Sequence, residues 1–470
     1  DVLFYENQEQ PRYFHTVSLT DDEKYMFMFE SGQGAGHTLW IRDMQNPDGK
    51  FEQIGFDMNY NYSPIDVIDG TLYISTNYNA PKGKICKVDV TNPKMENWVD
   101  MIPECINVIA DIALADGKMI VTYDQDASHH AYVYNMYGEM MHEIALPTFG
   151  SIGISSDYKE KEVFYAFTSF AFPTTIYKYN IDDNTSEVFR APAIDFKSED
   201  YVTEQVFVTS KDGTKVPMFL TYKKGMKKDG NNPALLYGYG GFNITLNPSF
   251  STSRLPFLEN GGIYALMNLR GGNEYGEEWH IAGTKLQKQN VFDDCIACAE
   301  YLIENGYSNP SKMAVNGGSN GGLLVGAVVN QRPDLFAAAV PQVGVMDMLR
   351  YHLFTIGWNW ASDYGTSDES KEMFEALYAY SPLHTIQNGA DVKYPAIMVT
   401  TADHDDRVVP AHSFKYAAAL QDAQTGDNVK IIRIDSKAGH GAGKPISKVI
   451  EEQADIYAFI MYNLQCTINN

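Results

Sequence analysis

The segment Gly317-Gly318-Ser319-Asn320-Gly321 sets a serine among small residues, behind the apolar run Met313–Asn316 and ahead of a helix-like stretch, Gly322–Gln331. G-x-S-x-G in strand–turn–helix context is the pattern of a nucleophile elbow. Such a turn leaves no room for a Cβ beside the serine, lifts its hydroxyl into the open and aims helix N–H groups at a reacting carbonyl. A serine nucleophile also needs a base to take its proton and an acid to orient that base. Two later loops offer them. The run Ala396–Thr401 leads into Asp403-His404-Asp405-Asp406-Arg407, and Ile431–Asp435 leads into Lys437-Ala438-Gly439-His440-Gly441. We therefore expect Ser319 as nucleophile, Asp405 as acid and His440 as base, in the chain order Ser, Asp, His. The glycines beside His440 allow a loop to carry its imidazole over the serine. His404 and His412 lack such flanks and read as structural. The plainer reading of each motif is a chance flexible loop or a merely structural side chain.

These residues must be positioned by strands that end in loops. From Val206–Ser210 and Met218–Tyr222 onward, buried-strand runs (Ala234–Tyr237, Gly262–Leu269, Met313–Asn316, Ala396–Thr401, Ile431–Asp435) alternate with helical stretches such as Val291–Asn305 and Ala411–Ala423. Alternation of this kind implies a doubly wound, mostly parallel sheet covered on both faces, an α/β-hydrolase catalytic domain over 191–470. Residues 1–190 read differently. Short alternating strands are broken by Asp and Gly turns, and a hexapeptide recurs: Leu39–Met44, Ile85–Val90, Ala131–Met136 and Ile176–Ile181. The anchors Asp43, Asp89, Asn135 and Asn180 are 46, 46 and 45 residues apart. That period predicts an all-β propeller part of about four blades; a β-sandwich with accidental spacing is the alternative.

Composition narrows the partners. A net charge of -24 on 470 residues repels phosphate backbones and anionic lipid, so neither nucleic acid nor a membrane surface is expected. No apolar run reaches the ~18 residues of a membrane span. Five cysteines are too few and too odd in number for a disulfide framework. The pair Cys295 and Cys298 falls on one face of a helix and reads as buried thiols. No Cys/His quartet with metal spacing occurs, and acyl transfer by a triad needs no cofactor. Asp1 stands where a Met would; we expect the chain to start inside a longer product. The expected compartment is the cytoplasm, with the periplasm or secretion left open because the native N-terminus is not visible.

At Tyr237-Gly238-Tyr239-Gly240-Gly241-Phe242, Asn268-Leu269-Arg270-Gly271-Gly272, Asn316–Gly322, Gln342–Met348, Asp403–Pro410 and Lys437–Lys444, the chain resembles the prolyl oligopeptidase family, serine peptidases that cut short peptides after proline. Asn320 matches that family, where oligopeptidase B typically has Ala and dipeptidyl peptidases have Tyr. The resemblance implies that the Tyr239 hydroxyl and the Asn320 N–H form an oxyanion hole. It implies that Trp360 stacks on the substrate proline, that Phe242, Val345, Tyr364 and Val408 wall that pocket, and that Arg407 binds a carbonyl one residue upstream. By sequence alone either Trp358 or Trp360 reads as core. The expected substrates are proline-containing oligopeptides. The family has seven blades and an N-terminal segment packed on the hydrolase, so only four blades here imply a missing segment of the same gene product. The rivals are another hydrolase on this fold, an esterase or acylaminoacyl peptidase, and a non-catalytic propeller binding module.

Overall fold

The computed structural model describes residues 3–32, 34–441 and 443–467; Asp1 and Ala442, named above, lie outside them. Four four-stranded antiparallel sheets occupy the first part of the chain. The repeating hexapeptide is the third strand of each: Thr38–Asp43, Lys84–Asp89, Ser128–Asn135 and Phe172–Asn180. The reason for the recurring Asp or Asn is local. Its side-chain oxygen accepts the backbone N–H two residues on, from Gln45 at 2.8 Å, Thr91 at 2.8 Å, Tyr137 at 3.0 Å and Asp182 at 3.0 Å. Each anchor thus starts the turn into the fourth strand. The preceding hairpins at Asp69-Gly70 and Asp116-Gly117 have both residues at positive φ, the two-residue turn that matches strand twist. Successive sheets bury their faces on one another. Phe27, Leu39 and Ile54 of the first pack with Tyr62, Leu72 and Val88 of the second, as blades do.

The last blade strand is Thr185–Arg190, and Tyr201 opens an eight-stranded sheet. We number its strands β1 (Tyr201–Thr209), β2 (Lys215–Lys223), β3 (Ala234–Tyr237), β4 (Ile263–Met267), β5 (Met313–Gly318), β6 (Ala338–Gln342), β7 (Ala396–Ala402) and β8 (Lys430–Asp435). Their spatial order is β1-β2-β4-β3-β5-β6-β7-β8. The first two are antiparallel to their neighbours and the rest pair in parallel. Helices Gln289–Glu304, Asn320–Gln331, Ala411–Asp422 and Ile446–Asn463 accompany the sheet. Residues of β3, β4 and β5 contribute to two separate hydrophobic clusters, one on each face. This is the α/β-hydrolase arrangement behind a propeller part. Cys295 and Cys298 are buried free thiols, and burial pushes both well above the usual thiol range; as expected, they are inert packing groups.

Candidate active site

In a parallel sheet the C-terminal strand ends open into one crevice, and three strand ends build this site. β5 delivers Ser319. The serine sits at φ 59, ψ -116, immediately before the helix Asn320–Gln331, a backbone region that L-residues avoid and that functional turns use. The crowding lies two residues to either side of the serine, not directly beside it as the motif suggests. A Cβ on Gly317 would meet Gly321 O at 2.5 Å, and one on Gly321 would meet Gly238 O at 2.7 Å. Gly318, directly before the serine, has open space, and directly after it stands a full asparagine. Asn320 is 2% exposed. Its N–H, the first of a helix, has no carbonyl a turn back to accept it. Its side chain donates to Tyr239 O at 2.6 Å and accepts from the Tyr364 hydroxyl at 2.8 Å.

β7 delivers Asp405, whose side chain is fully buried. One carboxylate oxygen, Oδ1, accepts the N–H groups of Arg407 at 3.0 Å and Val408 at 2.9 Å. The other, Oδ2, accepts His440 Nδ1–H at 2.6 Å. His440 comes from the glycine-flanked loop after β8. Among the described residues His440 and Ser319 share no hydrogen bond, so the structure joins acid to base and leaves base and nucleophile unlinked. His404 is exposed and bound to Asp403 at 2.6 Å. His412 is buried and accepts the Asp347 N–H at 3.1 Å, and burial pulls its pKa down to about 4. Both have the structural settings expected of them.

Tyr239 follows β3 and is half-buried. Burial raises its hydroxyl pKa to about 12, Asp363 adds to the rise, and Arg407 and the Ser319 hydroxyl are close enough to oppose it. At neutral pH the group is therefore a protonated donor beside the serine. Trp360 and Phe242 are half-buried and pack on a cluster containing Val345, Tyr364, Val408 and Tyr351. Phe242 meets Tyr364 edge-on with centroids 5.3 Å apart, and Trp360 stacks parallel to Tyr351 at 6.1 Å. Val345 and Val408 are 2% exposed and Tyr364 is fully buried. Those three form the backing, and the open aromatic surface belongs to Trp360 and Phe242. Trp358, the other candidate in its segment, faces Arg12 at 5.8 Å. Arg407 is exposed and makes no ion pair among the described residues, which leaves its charge available. Three polar residues behind the site, His280, Lys288 and Asp363, give no signal in sequence. A charged residue looks the same there whether it is solvated or buried.

Both parts of the chain match known families. Residues 248–467 match the prolyl oligopeptidase family, and residues 1–192 match the N-terminal β-propeller domain of prolyl oligopeptidase. A prolyl endopeptidase of Elizabethkingia meningoseptica is 47% identical over 466 residues, covering 99% of this chain and 65% of its own length. Prolyl oligopeptidase A of Galerina marginata is 38% identical, with 99% and 64% covered. The chain thus spans somewhat under two thirds of the curated relatives it matches. Among solved structures, a prolyl endopeptidase superimposes with TM-score 0.93 at 38% identity, covering 98% of this chain and 68% of that one. Prolyl oligopeptidase B of Galerina marginata, bound to a 35mer hydrolysis and macrocyclisation substrate, gives 0.94 at 33% identity, with 100% and 67% covered. With its elbow, its buried acid–base pair and both domains matched, the chain belongs to the prolyl oligopeptidase family.

Proposed function

We propose that the protein is a serine endopeptidase that cleaves short peptides on the carboxyl side of proline. The observation that carries this reading is the aromatic surface of Trp360 and Phe242, tied to the Ser319 elbow through Tyr364 and Asn320. Proline is a flat apolar ring without an N–H, so its pocket should be aromatic and uncharged. Seated there, it presents its carbonyl to Ser319. His440 takes the Ser319 proton as the hydroxyl attacks, through a hydrogen bond that tightens on substrate binding. Asp405 fixes the imidazole tautomer and steadies the imidazolium. The tetrahedral oxyanion is held by the Asn320 N–H and the Tyr239 hydroxyl. His440 then protonates the leaving amine, and water releases the acyl group by the same path. Arg407 would hold the carbonyl upstream of the proline. No step requires a cofactor. The test is a panel of peptides with proline, leucine or arginine at the cleaved carbonyl. Proline should be strongly preferred, and Trp360→Ala should lower its kcat/KM by about 10- to 100-fold through loss of ~1–3 kcal/mol of ring contact. Arginine peptides cut as fast as proline ones would rule out the proline pocket and leave another hydrolase on this fold.

In the whole protein, further blades would complete the ring over the active site and admit only short peptides. The full-length protein should digest a short proline peptide and spare a large unfolded protein; ready digestion of the latter would rule out the filter. The substrates are then proline-containing oligopeptides, and the preceding segment of the same gene product is a partner of this chain. Five free thiols support a cytoplasmic setting.

A further inference from the structure

We propose that Asp363 is a positioning residue that locks the loop carrying Tyr239 and Phe242 to the segment carrying Trp360 and Tyr364, so that the proline pocket and the oxyanion hole move as one unit. The proposal rests on the reading of Ser319 as an acyl-transfer nucleophile with Tyr239 as an oxyanion donor.

Asp363 lies between the two aromatic residues of its segment, and its side chain is 3% exposed. Its Oδ2 accepts the Phe242 N–H at 3.1 Å and its Oδ1 meets His280 Nε2 at 2.7 Å. Lys288 Nζ stands 3.9 Å from Oδ2 and donates to Gly240 O at 2.8 Å. His280 Nδ1 is bound in turn to Glu277 at 3.1 Å. Burial opposes the charge on His280, but the two carboxylates outweigh it and lift its pKa to about 9. Burial lowers Lys288 to about 8, with Asp363 acting against the drop. Near neutral pH His280 and Lys288 are therefore cations, each set against the Asp363 side chain, which is how charges can be kept away from water.

What the cluster grips is backbone. Gly240 is held by its carbonyl and Phe242 by its N–H, immediately after Tyr239. Phe242 and Asn243 both sit at positive φ, 56 and 57. L-residues adopt that conformation at a cost, so the loop keeps its shape where its neighbours impose it. Tyr239 is also held from the same segment by a second route, Tyr364 hydroxyl to Asn320 and Asn320 to Tyr239 O, at 2.8 and 2.6 Å. Residues 363 and 364 thus fasten the oxyanion tyrosine and the loop that follows it to the wall of the proline pocket. Seating of the ring and placement of the Tyr239 hydroxyl then depend on one rigid body. A shift of about 1 Å in such a donor is enough to matter.

The experiment is a double-mutant cycle in the full-length protein. Asp363→Ala and Asp363→Asn are made in the native and Tyr239→Phe backgrounds. Turnover is measured on a prolyl peptide and on p-nitrophenyl acetate, per active site titrated with a fluorophosphonate. Asp363→Ala should lower kcat about 10- to 100-fold, Asp363→Asn, which keeps an acceptor for the Phe242 N–H, should stay within about fivefold of native, and in the Tyr239→Phe background the alanine should cost less than about threefold. A loss that is undiminished without the Tyr239 hydroxyl would overturn the proposal, as would unchanged kcat per titrated site in Asp363→Ala. Should the alanine variant fail to fold, Lys288→Met, which frees the Gly240 carbonyl, is carried through the same cycle. There a loss that shrinks in the Tyr239→Phe background supports the linkage, and an additive one refutes it. The ester arm separates the two readings. A native protein that cleaves the ester and not the prolyl peptide refutes the proline assignment, while the cycle on the ester still decides Asp363.

Discussion

Ser319→Ala is expected to lower kcat by about six orders of magnitude and to abolish labelling by a fluorophosphonate. The structure makes this a clean experiment. The Ser319 hydroxyl lies beside the Tyr239 hydroxyl and holds no backbone group among the described residues, and alanine occupies the elbow backbone as well as serine does. Activity should therefore vanish without a matching loss of stability. His440→Ala should cost a similar factor, and the double variant no more than either single one, because nucleophile and base act as a unit. The measurement is kcat/KM on a prolyl peptide together with thermal unfolding of each variant. Labelling that survives Ser319→Ala would place the nucleophile elsewhere, and additive losses in the double variant would separate the base from it.

Much of this site is legible in the sequence because the elbow, the acid and the base each follow a strand, and strands that end in loops leave periodic apolar runs. The blades are legible for a different reason: an Asp or Asn that must accept an N–H two residues on recurs wherever the third strand turns. The strand β6 carries no comparable signal. It is a run of five residues containing Pro341, and proline within a run argues against a central strand. Here Pro341 stands opposite Gly317 in the parallel ladder beneath the elbow. The crowding at the elbow falls on other neighbours than the motif suggests. Gly318 has room for a Cβ, whereas Gly317 faces the Gly321 carbonyl across the turn and Gly321 faces the Gly238 carbonyl beyond the neighbouring strand, and such contacts have no sequence signature. Trp360 can be chosen over Trp358 in sequence only through the family resemblance. In three dimensions they separate, one on Tyr351 beside the pocket and the other beneath Arg12. The cluster of Asp363, His280 and Lys288 joins three segments up to 83 residues apart, and its burial is a property of the fold alone.

The geometry around Asp405 makes Asp405→Asn more informative than removal of the side chain. Two backbone donors, from Arg407 and Val408, converge on Oδ1, and the imidazole Nδ1–H occupies Oδ2. An asparagine has one acceptor oxygen and one amide nitrogen. If its nitrogen faced the two N–H groups, three donors would confront one another at a fully buried side chain, so its oxygen must take the Oδ1 place. The amide nitrogen then points at His440 Nδ1 and can only donate to it. The imidazole is forced into the tautomer with its proton on Nε2, which presents a donor to Ser319 where an acceptor is needed. The fold and the pocket are untouched, since both backbone hydrogen bonds persist. We therefore expect Asp405→Asn to lose about 10⁴ in kcat, with KM for a prolyl peptide close to native. Asp405→Ala should lose activity too, but it also leaves the Arg407 N–H and the buried Val408 N–H unpaired and should lower the unfolding temperature, which the asparagine variant should not. Steady-state kinetics and thermal unfolding on both variants check the contrast. An asparagine variant that keeps native kcat would show that the carboxylate does not set the His440 tautomer.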